Sequence, residues 1–175
     1  NKLRLKRNKI GILGGSFNPA HKGHLAISNE AYKRFKLKKI IWAITKKNPL
    51  KNDSNRNLLS RIKDCRKIIR NKQFIQVKFY ENLIKSNKTI NLINHLSKNK
   101  KNEIFFLMGA DNLISFHKWY KWKLISRKCN LIIFDRHGYK KKSLNSITYK
   151  RLNKKNLEFI EFNKVNISSS QLKKI

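Results

Sequence analysis

His21 and His24 stand three residues apart at the end of the stretch Gly14–His24, GGSFNPAHKGH. One helical turn separates them, so both imidazoles fall on the same side of a helix beginning there. Gly14 and Gly15 let the main chain come close to a bound group. Open N–H groups in such a turn, and at the start of the following helix, make a site for an anion. Imidazoles and amide donors beside an anion suit chemistry at phosphate, where positioning and charge neutralisation carry the reaction. No Ser-His-Asp arrangement offers a covalent route. The plainer alternative is a glycine-rich turn followed by two surface histidines. The strand expected before the stretch and the helix expected after it weigh against that.

Several elements must hold these residues in place. Lys9–Gly14 is a short apolar run stopped by Gly14–Gly15, a buried strand feeding a turn. His24–Phe35 has helical periodicity, with Leu25, Ala26, Ala31, Tyr32 and Phe35 able to share a face. Further strands are expected at Lys38–Ile44, Phe74–Tyr80, Glu103–Met108, Asn130–Phe134 and Leu157–Phe162, and helices at Asn57–Arg70 and Thr89–Leu96. One or two short helices fall in Leu113–Ile125, and a last one opens at Ile167–Leu172 with Ser168 as its cap. Thr45–Arg56 reads as a loop; Lys140–Lys142 and Asn153–Asn156 read as basic loop tips. Strands alternating with helices, the strands apolar on both faces, imply an α/β fold: a Rossmann-like, doubly wound parallel sheet in a single domain. Such sheets bind ligands at the carboxyl ends of the strands, beside the switch in strand order. Residues 9–175 form that domain, with residues 1–8 a basic N-terminal extension.

Composition narrows the class. The 175 residues are 39% hydrophobic and 10% aromatic, enough for a core, which excludes a long disordered chain. No apolar run approaches the roughly 18–20 residues of a membrane span, and Asn1–Asn8 lacks the apolar stretch of a secretory signal. Cys65 and Cys129 lie far apart without a CxxC partner, so neither a metal framework nor a redox motif is expected, and a reduced, cytoplasmic setting fits. The net charge of +34, from 43 Lys+Arg against 9 Asp+Glu, has two readings. One is attraction to phosphorylated ligands or nucleic acid. The other is compositional drift, since Lys, Asn and Ile are heavily used and the lysines spread along the whole chain. The acids are few and scattered, so no metal site built by the protein is expected.

GGSFNPAHKGH resembles the GxFxPxHxGH signature of the HxGH nucleotidyltransferases, α/β enzymes that join a phosphate of one substrate to the α-phosphate of a nucleoside triphosphate. Within them the chain resembles the bacterial nicotinate-nucleotide adenylyltransferase family. The stretches that carry this are Trp42 with Asn48–Lys51 (NPLK), Thr89–Ile90, Met108–Asp111 (MGAD) with Phe116–Trp122 (FHKWYKW), Asp135–Tyr139 (DRHGY) and Ile167–Lys173 (ISSSQLK). The resemblance implies roles. His24 would stabilise charge developing at the α-phosphate, and His21 would assist. Gly14, Gly15, Gly109, Asp111, Arg136, Ser168, Ser169, Ser170 and Lys173 would line the ATP site, with Asp111 on the ribose. On residue type alone Asp111 can also be read as a helix N-cap, a role that can coexist with the ribose contact. Gly15, Ser16, Phe17, Lys51, Thr89, Trp119 and Tyr120 would hold nicotinate mononucleotide, Trp119 by stacking on the pyridine ring. Trp122 reads as core, and His95 as a helix-surface residue. Mg²⁺ would travel mainly on the ATP phosphates.

The sequence departs from the pattern at Asn18 (Asp in many relatives), Lys88 (Tyr), Ser170 (Thr) and Lys173 (Arg). Lysine keeps the charge at the last position but loses the bidentate fork. The chain stops at Ile175, where many relatives continue into a longer helix. The resemblance thus implies ATP and nicotinate mononucleotide as substrates, with no membrane partner, nucleic acid bound only nonspecifically, and an oligomer allowed. Acceptance of nicotinamide mononucleotide or phosphopantetheine in place of the nicotinate compound stays open. So does a basic nucleic-acid-binding module, although no aromatic RNP-type strand supports it.

Overall fold

The computed structural model describes residues 6–46, 57–135 and 138–162. Six strands form one parallel sheet in the order β3-β2-β1-β4-β5-β6. They are β1 (Asn8–Gly15), β2 (Lys39–Ile44), β3 (Ile75–Lys78), β4 (Asn102–Gly109), β5 (Asn130–Asp135) and β6 (Leu157–Glu161). The helices are α1 (Lys22–Phe35), α2 (Leu58–Ile68), α3 (Glu81–Ile84), α4 (Thr89–Leu96), α5 (Ala110–Ser115), α6 (Trp122–Lys128), α7 (Lys140–Leu144) and α8 (Ile147–Arg151). Short 3₁₀ turns follow at Phe116–Lys118 and Lys154–Asn156.

Side chains alternate across each strand, and here both faces are apolar. From β4, Ile104, Phe106 and Met108 join Ile10, Ile12 and Ile41 on one face, covered by Ile90 and Ile93 of α4, Leu113 of α5 and Ile125 of α6. Phe105 and Leu107 join Leu13, Ile40 and Trp42 on the other, covered by Ile27 and Ala31 of α1 and Cys65 of α2. The sheet is therefore wound on both sides, as the continuous apolar runs implied. Gly11 is part of that packing: a Cβ there would lie 2.9 Å from Leu37 Cδ1 and 3.1 Å from Ile40 Cγ1.

Several boundaries differ from the sequence expectations. β1 begins at Asn8, inside the expected extension, because the Asn8 N–H donates to Lys101 O (2.8 Å) and the residue pairs with Asn102. It also runs on through Gly14 and Gly15, which pair with Ala43 and Ile44 of β2. α1 starts two residues early, since His21 itself caps it. Lys140–Lys142, expected as a loop tip, lies in α7, and Lys154–Asn156 is a 3₁₀ turn. α3 and α8 had no periodic signal at four and five residues. The last expected helix, at Ile167–Leu172, lies outside the described residues.

Candidate functional site

The switch in strand order falls between β1 and β4, which leave for opposite halves of the sheet. Leu13 pairs with Leu107, so Gly15 and Gly109, each two residues further on, end neighbouring strands at the same edge. Gly14 is exposed, and a Cβ built there meets nothing nearer than Ala43 O at 4.0 Å. The space over Gly14 is thus open to an incoming group.

His21 and His24 are joined by a reciprocal cap. His21 Nδ1 accepts the Gly23 N–H (3.0 Å), and His24 Nδ1 accepts the His21 N–H (3.1 Å). Histidine stands here where Ser, Thr, Asp or Asn usually caps a helix. Both Nδ1 atoms being acceptors, the ring proton of each neutral imidazole sits on Nε2. The ring centroids lie 3.9 Å apart, and His21 is buried. Phe17 packs against His24 (4.6 Å) and stacks on Trp42 (5.0 Å, 17°). Phe17 has a left-handed backbone (φ 50°), a conformation that costs a bulky residue about 1–3 kcal/mol. Its 2% exposure shows how tightly the neighbours hold it. Trp42 is anchored in turn: its Nε1–H donates to Ser28 Oγ (2.9 Å), whose hydroxyl donates to His24 O (2.8 Å). Strand β2 and helix α1 thereby fix the histidine pair over the turn.

The remaining expected residues fall in two groups. Gly109 ends β4 and caps α5 through its backbone alone, and Asp111 is exposed in the first turn of α5. The N-cap reading of Asp111 is therefore corrected: the strand passes into the helix at Gly109, two residues before it. On the same face of the sheet as α5, Thr89 opens α4 and is half-buried. Trp119 lies edge-on to Phe116 (5.0 Å) and Phe106 (6.0 Å), half-buried, while Tyr120 is 53% exposed. Trp122, expected as core, packs partly buried on the same cluster. His95 is half-buried beside the Tyr80 ring (5.7 Å), whose phenol burial pushes above its ordinary pKa. The structure thus gathers Gly14, Gly15, Phe17, His21 and His24 at one edge, with Gly109 on the adjoining strand end. Lys51, Arg136, Ser168, Ser169, Ser170 and Lys173 lie outside the described residues. Among the described residues, no three His, Cys, Asp or Glu side chains come together as a metal site, and no helix is long and apolar enough to cross a membrane.

Comparison with known proteins gives the arrangement a family. The cytidylyltransferase-like family model matches residues 12–175. A Pelagibacter ubique protein named "Probable nicotinate-nucleotide adenylyltransferase" is 65% identical over all of this chain and 97% of its own length. The chain belongs to the nicotinate-nucleotide adenylyltransferase family. A Bradyrhizobium relative of the same name is 36% identical over 79% of this chain and 72% of its own. The fold matches two structures of Plasmodium falciparum nicotinic acid mononucleotide adenylyltransferase, complexed with APC and with NaAD. Their TM-scores are 0.75 and 0.77 at 21% identity, over 95% of this chain and 83% of theirs.

For this family member, sequence reasoning passed over Arg61 and Glu81. Arg61 is 1% exposed and donates to Ser16 O, Thr45 O and Lys46 O. Glu81 Oε1 accepts the Lys46 N–H. Arg61 did carry a signal. It occupies the α2 face of Leu58, Ile62, Cys65 and Ile69, where the period calls for an apolar residue. Glu81 carried none, because it opens a helix of four residues.

Proposed function

We propose that the protein is a nicotinate-nucleotide adenylyltransferase that moves AMP from ATP to nicotinate mononucleotide, giving deamido-NAD and pyrophosphate. The observation that carries this reading is the reciprocally capped pair His21–His24 beside the open turn Gly14–Phe17, at the β1/β4 switch point. In the reaction a phosphate oxygen of the mononucleotide attacks the α-phosphorus of ATP in line. The new P–O bond forms as the bond to pyrophosphate breaks, and no protein nucleophile takes part. His24 donates from Nε2 to an α-phosphate oxygen and stabilises its growing charge; His21 orders the ring beside it. Gly14 and Gly15 admit the phosphates, and Ser16 and Phe17 hold the mononucleotide turn. Gly109 and Asp111 serve the adenosine, while Thr89, Trp119 and Tyr120 receive the pyridine ring. Lys51, Arg136, Ser168, Ser169, Ser170 and Lys173 keep their phosphate-binding assignments. Mg²⁺, held mainly by the ATP phosphates, would supply positive charge against the leaving pyrophosphate. The cytoplasm, where ATP is at hand and thiols stay reduced, is the place for this reaction.

The test is His24→Ala. Deamido-NAD formation, read by mass, is expected to fall by at least about 10²–10³-fold. Affinity for a short RNA duplex is expected to stay at the wild-type value. Loss of both together, or of neither, overturns the assignment of His24.

A further inference from the structure

Two turns of chain approach the proposed phosphate site, one leaving β1 and one leaving β2. A single buried guanidinium holds both. Arg61 Nη1 donates to Ser16 O (2.8 Å) and to Thr45 O (2.7 Å), and Nη2 donates to Lys46 O (2.6 Å). Two more bonds close the unit. The Thr45 N–H donates to Gly15 O (2.9 Å), and the Lys46 N–H donates to Glu81 Oε1 (2.8 Å). The peptides around Lys46 are thus gripped from both sides, their carbonyls by a cation and an N–H by a carboxylate.

Taking a cation out of water is unfavourable, and an apolar side chain on this face of α2 would pack without that cost. The planar fork explains the choice. Its donors leave in fixed, divergent directions and reach carbonyls on two separate segments at once. A lysine ammonium is a point charge and cannot span them. The bond to Ser16 O fixes the Ser16–Phe17 peptide, and the Thr45 N–H on Gly15 O fixes the Gly15–Ser16 peptide before it.

We propose that Arg61 is a positioning residue for the transfer reaction: it locks the Gly15–Phe17 turn to the exit of β2, so that both face the acceptor phosphate in one geometry. The inference rests on the adenylyl-transfer reading above. It assigns Arg61 no contact with substrate. Its loss should therefore weaken capture of the acceptor more than capture of ATP.

The experiment is steady-state kinetics on wild type, Arg61→Lys, Arg61→Met and Glu81→Ala, well below each melting temperature, with far-UV circular dichroism as the check on folding. Both Arg61 variants are expected to raise KM for nicotinate mononucleotide about tenfold or more, with KM for ATP within about twofold of wild type. Glu81→Ala releases only one bond, and should move the acceptor KM the same way by less. A purely structural arginine would lower kcat in proportion to the folded fraction and leave both KM values alone; that result overturns the inference. If neither Arg61 variant folds, Glu81→Ala decides alone, and an unchanged acceptor KM counts against the proposal. A wild-type chain that transfers AMP to no acceptor overturns the functional reading and this inference together. An active wild type with an unmoved acceptor KM in the variants overturns the inference only.

Discussion

At His24 one ring has two jobs on two atoms. Nδ1 accepts the His21 N–H and serves the helix; Nε2 carries the proton and, in the proposed reaction, serves the phosphate. The jobs separate by substitution. His24→Asn keeps an acceptor near the Nδ1 position and loses the Nε2 donor. It is expected to melt closer to wild type than His24→Ala does, while losing transfer to the same extent. The glycines separate in a similar way. A Cβ at Gly14 meets open space, so Gly14→Ala should fold with wild-type stability and bind ATP and acceptor poorly. A Cβ at Gly11 presses on Leu37 and Ile40, so Gly11→Ala should cost about 1–3 kcal/mol in denaturant unfolding. Equal behaviour of the two variants would contradict this. The histidines and Gly14–Gly15 were legible because their spacing is itself the signal. Arg61 was harder to read: its place on the apolar face of α2 was the signal, but among 43 Lys+Arg one more cation looks like solvated charge until its burial is seen.

Elements long enough to show a period were read closely from sequence. Thr89–Leu96 matches α4 residue for residue, and the six strands fall within a residue or so of the stretches expected as strands, apolar runs for most and alternation for β3. What escaped is short. α7 reads KKKSL and α8 reads ITYKR, five residues each, too few for a helical period. Leu113–Ile125 breaks into α5, a 3₁₀ turn and α6 because tertiary bonds override propensity there. Thr148 of α8, fully buried, accepts the His117 N–H (3.0 Å) and so ties α8 to the turn that leads into Trp119. Thr148→Val keeps the shape and removes the acceptor. It should lower unfolding stability by about 1–3 kcal/mol, and a shift in Trp119 fluorescence, read against a Trp119→Phe control, should accompany it. Wild-type stability would show that this tie does not hold the turn.

Across the whole molecule, the all-parallel order β3-β2-β1-β4-β5-β6 puts the strand ends of β1 and β4 beside each other and the proposed reactive edge between two cores. A parallel sheet wound on both sides followed from strands buried on both faces; the strand order did not. The pairing of Gly15 with Ile44, and the bond from Arg61 to Ser16 across 45 positions of sequence, did not, because both depend on register. Cys65 and Cys129 lie buried in the two cores, and burial pushes the Cys129 thiol up to about 12. Alkylation by iodoacetamide at pH 8 should therefore wait on unfolding, with both thiols modified only as denaturant opens the chain. Rapid labelling of the native protein would contradict the packing described. The charge of +34 surrounds this fold with a field that favours phosphorylated ligands without choosing among them. The choice falls to the site, and one measurement tests it most directly. Pyrophosphate release is followed with ATP and Mg²⁺ while nicotinate mononucleotide, nicotinamide mononucleotide and phosphopantetheine are offered separately. Release is expected with nicotinate mononucleotide far above the other two. Release with none of them, or only with one of the others, would contradict the proposed function.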